Sequence, residues 1–342
     1  MGGAVGMGLT FVVLGGLLQG SFTLPMKRMP AWRWENTWLV YSVAAMLVMP
    51  WLLVIACVPH TAVILRLASP ASLVKVALFG FGWGVGSVLF GLGITALGMS
   101  LGFAIILGLT ASIGSLLPLI VLEPQRLFSR QGYALILSLI LVIVGILLCG
   151  LAGSRREQEK RAAVVAQSGR SRFSLGLLIC SLSGVFSPML NFSFVFGKNL
   201  QHLTLQFGAK PAMASNLVWA IALGAGFVAN SGYSVYLLYK NRSWGLLSWR
   251  GTPIAYWLGS LLMAFLWFAG IAIYGVGATD LGSFGGVIGW PVFTAVIIIV
   301  ANLWGAATGE WTGARRSTYA YSWWGIGFLL VAIYVISRGS AS

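Results

Sequence analysis

Ten apolar runs, each about as long as a helix needs to cross a bilayer, fill most of this chain. They lie at 6–25, 36–58, 72–96, 100–121, 131–152, 173–197, 212–239, 253–277, 281–304 and 318–337. In hydrocarbon every backbone polar group must find its partner within the protein, which makes such runs helices. The pattern specifies an all-α integral membrane protein with ten transmembrane helices. Composition agrees: only 8% of the 342 residues are charged, against about a quarter in soluble domains. Fifteen tryptophans and ten tyrosines suit the headgroup level, where amphipathic rings settle.

The net charge of +15 does not point to nucleic acid. The basic residues are scattered between the apolar runs and read as topology signals facing anionic lipid. Cys57, Cys149 and Cys180 sit far apart within apolar runs and form neither a metal motif nor a disulfide framework. The first run has no basic region before it, and Pro25 and Lys27 follow it instead of a small-residue cleavage site, so no cleavable signal peptide is expected.

Residues 90–98, FGLGITALG, return at 274–282 as YGVGATDLG. Five positions are identical, and one differs in kind: Ala96 faces Asp280. A second match pairs GLTFVVLGGLLQG (8–20) with GLLICSLSGVFSP (176–188), at the starts of the first and sixth runs. The glycines of the first pair mark tight reversals between runs three and four and runs eight and nine. One long polar interval, SRREQEKRAAVVAQSGRSR at 154–172, separates five runs from five. These features predict a five-helix unit (1–153), a basic linker (154–172) and a second five-helix unit (173–342). Because five is odd, the second unit enters the membrane from the opposite side. Inverted repeats of this kind are a transporter signature, with the site near the midplane between halves.

Basic residues orient the chain. Loops on the face of the 154–172 interval carry Lys27, Arg28 and Arg33, the linker's own cluster, Lys240, Arg242, Arg250, Arg315 and Arg316. The other face holds about half as many, among them Arg66, Lys75, Arg126, Lys198 and Lys210. Positive-inside reasoning puts the 154–172 loop in the cytoplasm and both termini outside.

Three motifs then add up. PMKRMPAWRWENTW (25–38) has the pattern P-x-K-x₄-W-x-W-E-x-x-W; LFGFGWGVGSVLFGLGITALGMSLGFAIILGLTASIGSLLP (78–118) runs through helices three and four; GEWTGARR (309–316) follows helix nine. Together they resemble the L-rhamnose–proton symporter family of the drug/metabolite transporter superfamily. The resemblance covers the whole chain in helix number and order; it is dense at 78–118 and thin between about 200 and 300. It implies a ten-helix inner-membrane protein that carries L-rhamnose inward with a proton. The thin second half leaves room for a different sugar or metabolite.

A pyranose offers a flat apolar face and a polar rim, which suits an aromatic platform with amide and hydroxyl partners. Candidates for that role are Gln19 with Ser21 on helix one, and Trp83 and Ser87, one turn apart on helix three. Helix six offers Ser187, Asn191 and Phe194, with Pro188 as a kink. Asn216 and Trp219 follow on helix seven, Trp267 and Tyr274 on helix eight, and Trp290 before Pro291 on helix nine. Membrane tryptophans ordinarily anchor or pack, and lone amides and hydroxyls ordinarily bond helix to helix. For Gln19 and Asn191 the cost of burying an amide weighs toward function. The glycines of GFGWGVG (80–86) have no strand before them and no lysine after; they read as close-packing positions, not a phosphate loop.

Proton coupling needs an ionisable group linked to substrate occupancy, yet no carboxylate falls at a helix centre. Glu35 and Glu310 follow helices one and nine on the predicted cytoplasmic face, and Asp280 lies at the opposite turn. These three are the candidates for coupling or gating. Their ordinary roles would be pairing of Glu310 with Arg315 or Arg316, pairing of Glu35 with Arg33 or Lys27, and a solvated turn aspartate. The leading reading is import of a small deoxy sugar with a proton by alternating access. The alternative is an exporter, facilitator or exchanger of another metabolite on the same architecture. An enzyme would need a nucleophile and base or metal ligands in reach of one another, and His60 and His202 stand apart from any acidic motif. No ring of charge suggests a channel. No ATP-binding motif is present, no cofactor is expected, and nothing sets an oligomeric state.

Overall fold

The computed structural model of the protein describes residues 2–97, 99–161, 170–248 and 251–340. Among these, ten helical segments are long and apolar enough to cross a membrane. In chain order, spans 1 to 5 are Val5–Arg28, Trp34–Cys57, Pro70–Leu97, Ala104–Leu122 and Arg130–Arg156. Spans 6 to 10 are Phe173–Gln206, Pro211–Lys240, Ile254–Asp280, Gly282–Ala307 and Arg316–Gly339.

Spans 2 and 6 change course near a proline. Span 2 widens into a π turn at Val43–Val48 just ahead of Pro50. Proline has no N–H to give the preceding turn, and its ring crowds the carbonyl four residues back. Span 6 is three helices, Arg170–Phe186, Met189–Phe196 and Lys198–Gln206, broken at Ser187–Pro188 and Gly197. The expected kink at Pro188 is present. The fifth helix departs from expectation: it continues to Arg161, well past residue 152. Glu159 explains the extension, since it accepts bonds from Arg315 N–H at 2.9 Å and Thr318 Oγ1 at 2.7 Å, satisfying free donors at the start of span 10. Residues 162–169 of the expected linker lie outside the described residues.

Spans pack in pairs that recur on adding five to the span number. Span 1 packs on spans 8 and 9, and span 6 on spans 3 and 4; span 5 packs along span 10, and span 2 along span 7. Individual contacts recur as well. A Cβ on Gly8 would lie 3.0 Å from Leu281 Cγ, and one on Gly176 would lie 2.8 Å from Leu97 Cγ. On Gly16 it would meet Val296 Cβ at 2.7 Å and the Phe293 carbonyl at 3.2 Å; on Gly184 it would meet Leu109 Cβ at 2.6 Å and the Ile106 carbonyl at 3.2 Å. Thr95 Oγ1 donates to the Gly91 carbonyl at 3.0 Å, as Thr279 Oγ1 does to that of Gly275 at 2.8 Å. The second reversal turns on Gly282, at φ +79, a left-handed conformation that suits glycine. Its counterpart, Gly98, lies outside the described residues.

The glycines of 80–86 are close-packing positions. A Cβ on Gly80 would sit 2.1 Å from the Ala222 carbonyl oxygen and one on Gly84 2.4 Å from that of Gly226, so this face of span 3 lies backbone to backbone on span 7. Gly82 and Gly86 face span 6, at Met189 Sδ and the Ser187 nitrogen.

Candidate functional site

The aromatic candidates divide into two groups along the molecule. Trp83 and Trp267 form the centre of the first. They stand 184 positions apart, the offset of the repeated nine residues, and their rings stack at 5.3 Å and 29°. The stack joins span 3 to span 8. Tyr41 sets its ring edge-on to Trp267 at 6.1 Å, and Trp38 and Phe22 pack around Tyr41 at 4.9 and 5.7 Å.

Polar groups border this aromatic wall. Gln19 packs against Gly270, one turn from Trp267; its Oε1 is buried with no protein hydrogen-bond partner among the described residues. Asn230, wholly buried on span 7, accepts from Ser87 Oγ and from Trp38 Nε1, each at 3.1 Å, and donates to the Gly226 carbonyl at 3.1 Å. Trp83, Ser87 and Trp38 remain half-buried. An aromatic face rimmed by an unpaired amide oxygen and a hydroxyl matches the chemistry of a pyranose.

The second group is sealed. Tyr274 Oη donates to Asn191 Oδ1 at 2.7 Å, and Asn191 Nδ2 donates to the carbonyls of Gly114 and Gly286 at 3.0 and 2.9 Å. One amide thereby ties spans 4, 6, 8 and 9 together. Tyr274 also contacts Phe293 at 4.7 Å and Trp290 at 5.7 Å, and Trp290 Nε1 donates to the Thr110 carbonyl at 3.1 Å. Phe194 lies parallel to Trp219, 5.5 Å away and 9° from coplanar orientation, so that face of the indole is occupied. Asn216 at the start of span 7 has its amide on Met213 Sδ at 3.2 Å and joins neither group.

Two equivalent glycines behave differently. A Cβ on Gly275 would meet Trp219 Nε1 at 2.6 Å and Ser215 Oγ at 2.7 Å, whereas one on Gly91 would meet nothing within 4 Å. Span 7 closes over span 8 at one end of the molecule. At Gly91, span 3 has no such neighbour among the described residues.

The carboxylates take partners other than those expected from the sequence. Glu310 is bridged by Lys27 at its Oε1 and by Arg156, 2.9 Å from Oε2, not by the neighbouring Arg315 or Arg316. It thus braces the ends of spans 1, 5 and 9, and Arg156 also lies 5.2 Å from the Trp311 ring. Partial burial pushes the Glu310 carboxyl up, but bonds and charge from Lys27 and Arg156 outweigh it and hold the group below the usual carboxylate range. Glu35 is only 3% exposed. Its Oε1 accepts from Asn241 Nδ2 at 2.9 Å and Ser243 Oγ at 2.8 Å, with no ion pair to Arg33 or Lys27. Arg242 between these donors is left-handed at φ 52, which turns both neighbours toward the carboxylate. Asp280 is half-buried at the end of span 8, with no hydrogen bond or ion pair among the described residues. No group of three His, Cys, Asp or Glu side chains among the described residues could hold a metal ion.

Sequence reasoning missed Asn230, Trp38 and Tyr41, and it missed Lys27 and Arg156 as the partners of Glu310. Asn230 carries a signal that it shares with Gln19 and Asn191: an amide inside an apolar run.

Comparison with known proteins agrees with this architecture. The pattern of the family described as L-rhamnose-proton symport protein (RhaT) matches residues 1–342. Similar curated proteins include the L-rhamnose-proton symporters of Klebsiella pneumoniae (strain 342) and Cronobacter sakazakii (strain ATCC BAA-894), each 25% identical, and that of Escherichia coli (strain ATCC 8739), 24% identical. All three alignments cover 100% of this chain and of the relative. The chain is a multi-pass inner-membrane protein and a transporter, and it belongs to the L-rhamnose-proton symport protein family.

Proposed function

We propose that the protein imports L-rhamnose together with a proton by alternating access between two inverted five-helix repeats, 1–153 and 173–342. The observation that carries the reading is the Trp83–Trp267 stack, which joins span 3 to span 8 and is bordered by the unpaired Gln19 Oε1. The recurring contacts Gly8–Leu281 and Gly176–Leu97 support the duplication. Membership of the family supports the substrate and the coupling ion.

The sugar's apolar face lies against Trp83, the half-buried ring of the stack that Trp267 backs, with Gln19 and Ser87 at its rim. Asn191, Trp219, Tyr274 and Trp290 form the barrier on the side away from the 22–33 and 241–253 loops. The distribution of basic residues supports a cytoplasmic loop side with both termini outside. The covered Gly275 and uncovered Gly91 then describe an inward-facing state. Exchange of these two environments is the rocking motion that inverted repeats permit.

Glu35 carries the coupling proton. It is buried one turn from Trp38, and Asn241 and Ser243 donate to its charged form, so taking up a proton releases the two bonds that tie it to the 241–243 turn. Two cations commit Glu310 to its charged form, which suits a brace. Asp280 has no partner that ties it to either group, and its place at the outer turn fits a solvated aspartate.

The test is uptake of labelled L-rhamnose into proteoliposomes with and without an inward proton gradient. Uptake that the gradient accelerates and a protonophore abolishes is expected. Uptake indifferent to the gradient removes the proton mechanism, and no uptake from folded protein removes L-rhamnose as substrate.

A further inference from the structure

Two polar atoms in the sealed group have no protein partner among the described residues: Ser215 Oγ and Trp219 Nε1. Ser215 is 1% exposed and Trp219 0%, so water outside the protein satisfies neither. Both converge over Gly275, at 2.7 and 2.6 Å from the place a Cβ would take. Ser215 stands at the N-cap of the helix Asn216–Lys240 yet makes no side-chain cap bond. Serine at that position ordinarily turns back to the free N–H groups of its helix; here the hydroxyl points across to span 8 instead. The Gly275 carbonyl is already engaged by Thr279. Trp38, in the like place near the start of the helix Trp34–Ser42, has its indole N–H satisfied by Asn230, so the unpaired indole belongs to the second half alone.

The chemistry of the pair is specific. An indole N–H only donates, and a hydroxyl both donates and accepts. With no charged side chain paired at this point, they suit a neutral hydroxyl group and not a carboxylate or an ammonium. Because Phe194 covers a face of the Trp219 ring, the edge of the indole, not its face, is what the protein offers. Gly275 lies eight residues beyond Trp267 on one helix, about 12 Å along its axis. That separation exceeds the length of a pyranose ring, so the two places cannot grip one sugar at the same time.

We propose that Ser215 Oγ and Trp219 Nε1, over Gly275, form a second, outer subsite that takes one hydroxyl group of the transported sugar. This rests on the reading of the protein as a sugar transporter and adds a station beyond the Trp83–Trp267 stack. The sugar binds there while the outer side is open, before the Tyr274–Asn191 bond closes.

The experiment measures binding from the outer side, as the external concentration of L-rhamnose, and of its analogues lacking one hydroxyl each, that half-saturates counterflow by the purified full chain in proteoliposomes. Trp219→Phe keeps the ring beside Phe194 and removes the N–H; Ser215→Ala is the second variant. Both are expected to weaken L-rhamnose binding about fivefold to tenfold, the scale of one neutral hydrogen bond. One and the same analogue should bind wild type and variants alike, because the hydroxyl it lacks is the one the subsite reads. An equal loss for every analogue means that the pair holds a water, and no loss means that it only packs; either result overturns the subsite. A wild-type protein that binds none of these sugars overturns the substrate assignment, and this subsite's sugar with it.

Discussion

Replacing Glu35 by glutamine separates the coupling proton from the transport path. Glutamine keeps the size of the side chain and one acceptor oxygen, so Asn241 and Ser243, at 2.9 and 2.8 Å, retain a partner. The loss is the difference between bonds to a charged acceptor, about 1.5–3 kcal/mol each, and bonds to a neutral one, about 0.5–1.5 kcal/mol. For two bonds that is on the order of 2 kcal/mol, small enough for the protein to fold. The transport effect is far larger. If one proton crosses per sugar, each pH unit supplies about 1.4 kcal/mol, or about a tenfold accumulation. A gradient of two units therefore drives about a hundredfold accumulation by wild type. Glu35→Gln should bring labelled L-rhamnose only to equal concentrations on both sides, while exchange of internal for external sugar continues. Accumulation by Glu35→Gln close to that of wild type would refute the assignment of the proton to Glu35.

Three further outcomes follow from the packing and the charges. Gly80→Ala puts a methyl 2.1 Å from the Ala222 carbonyl oxygen, a backbone atom that cannot step aside. It should cost about 1–3 kcal/mol, read as a lower thermal midpoint, while Gly91→Ala, with nothing within 4 Å, should leave the midpoint unchanged. Glu310→Gln loses two partly exposed ionic bonds and should cost about 1 kcal/mol after solvent screening, with the difference from wild type shrinking at high salt. Since the Glu310 carboxyl is held below its ordinary value, its brace is complete above about pH 4.3 and is lost only as pH falls through the lowered value; the gap in thermal midpoint between wild type and Glu310→Gln should therefore be the same at pH 6 and pH 8. A cysteine placed at Gly91, in a background with Cys57, Cys149 and Cys180 replaced, should react with an impermeant thiol reagent in inside-out vesicles. Adding Gly275→Ala, which crowds Trp219 and Ser215, should slow that reaction several-fold by favouring the outward-open state.

The ten spans were legible because membrane length and low charge leave few alternatives, and the Pro188 break because proline breaks a helix by covalent geometry. The repeat offset was also legible, and applied to Trp83 it lands on Trp267. Their contact needed the structure, because an offset in sequence does not say that two residues face each other. The partners of Glu310 could not be read: Lys27 and Arg156 are 283 and 154 positions away, and only the packing of span ends brings them together. Local pairing with Arg315 was the natural expectation, but the chain turns Arg315's backbone toward Glu159 instead. Trp219 was legible as a candidate, whereas the covering of its ring by Phe194 and the exposure of its N–H to Ser215 depend on the bend at Pro188 and the start of span 7.

The account stands on sugar and proton crossing together, and a pH electrode reads that without a label. L-rhamnose is added to lightly buffered proteoliposomes that carry no ion gradient and are clamped at zero potential. The external medium should turn alkaline as sugar enters, and Glu35→Gln should abolish the shift. Sugar entry at the wild-type rate with no change in external pH would contradict the symport mechanism.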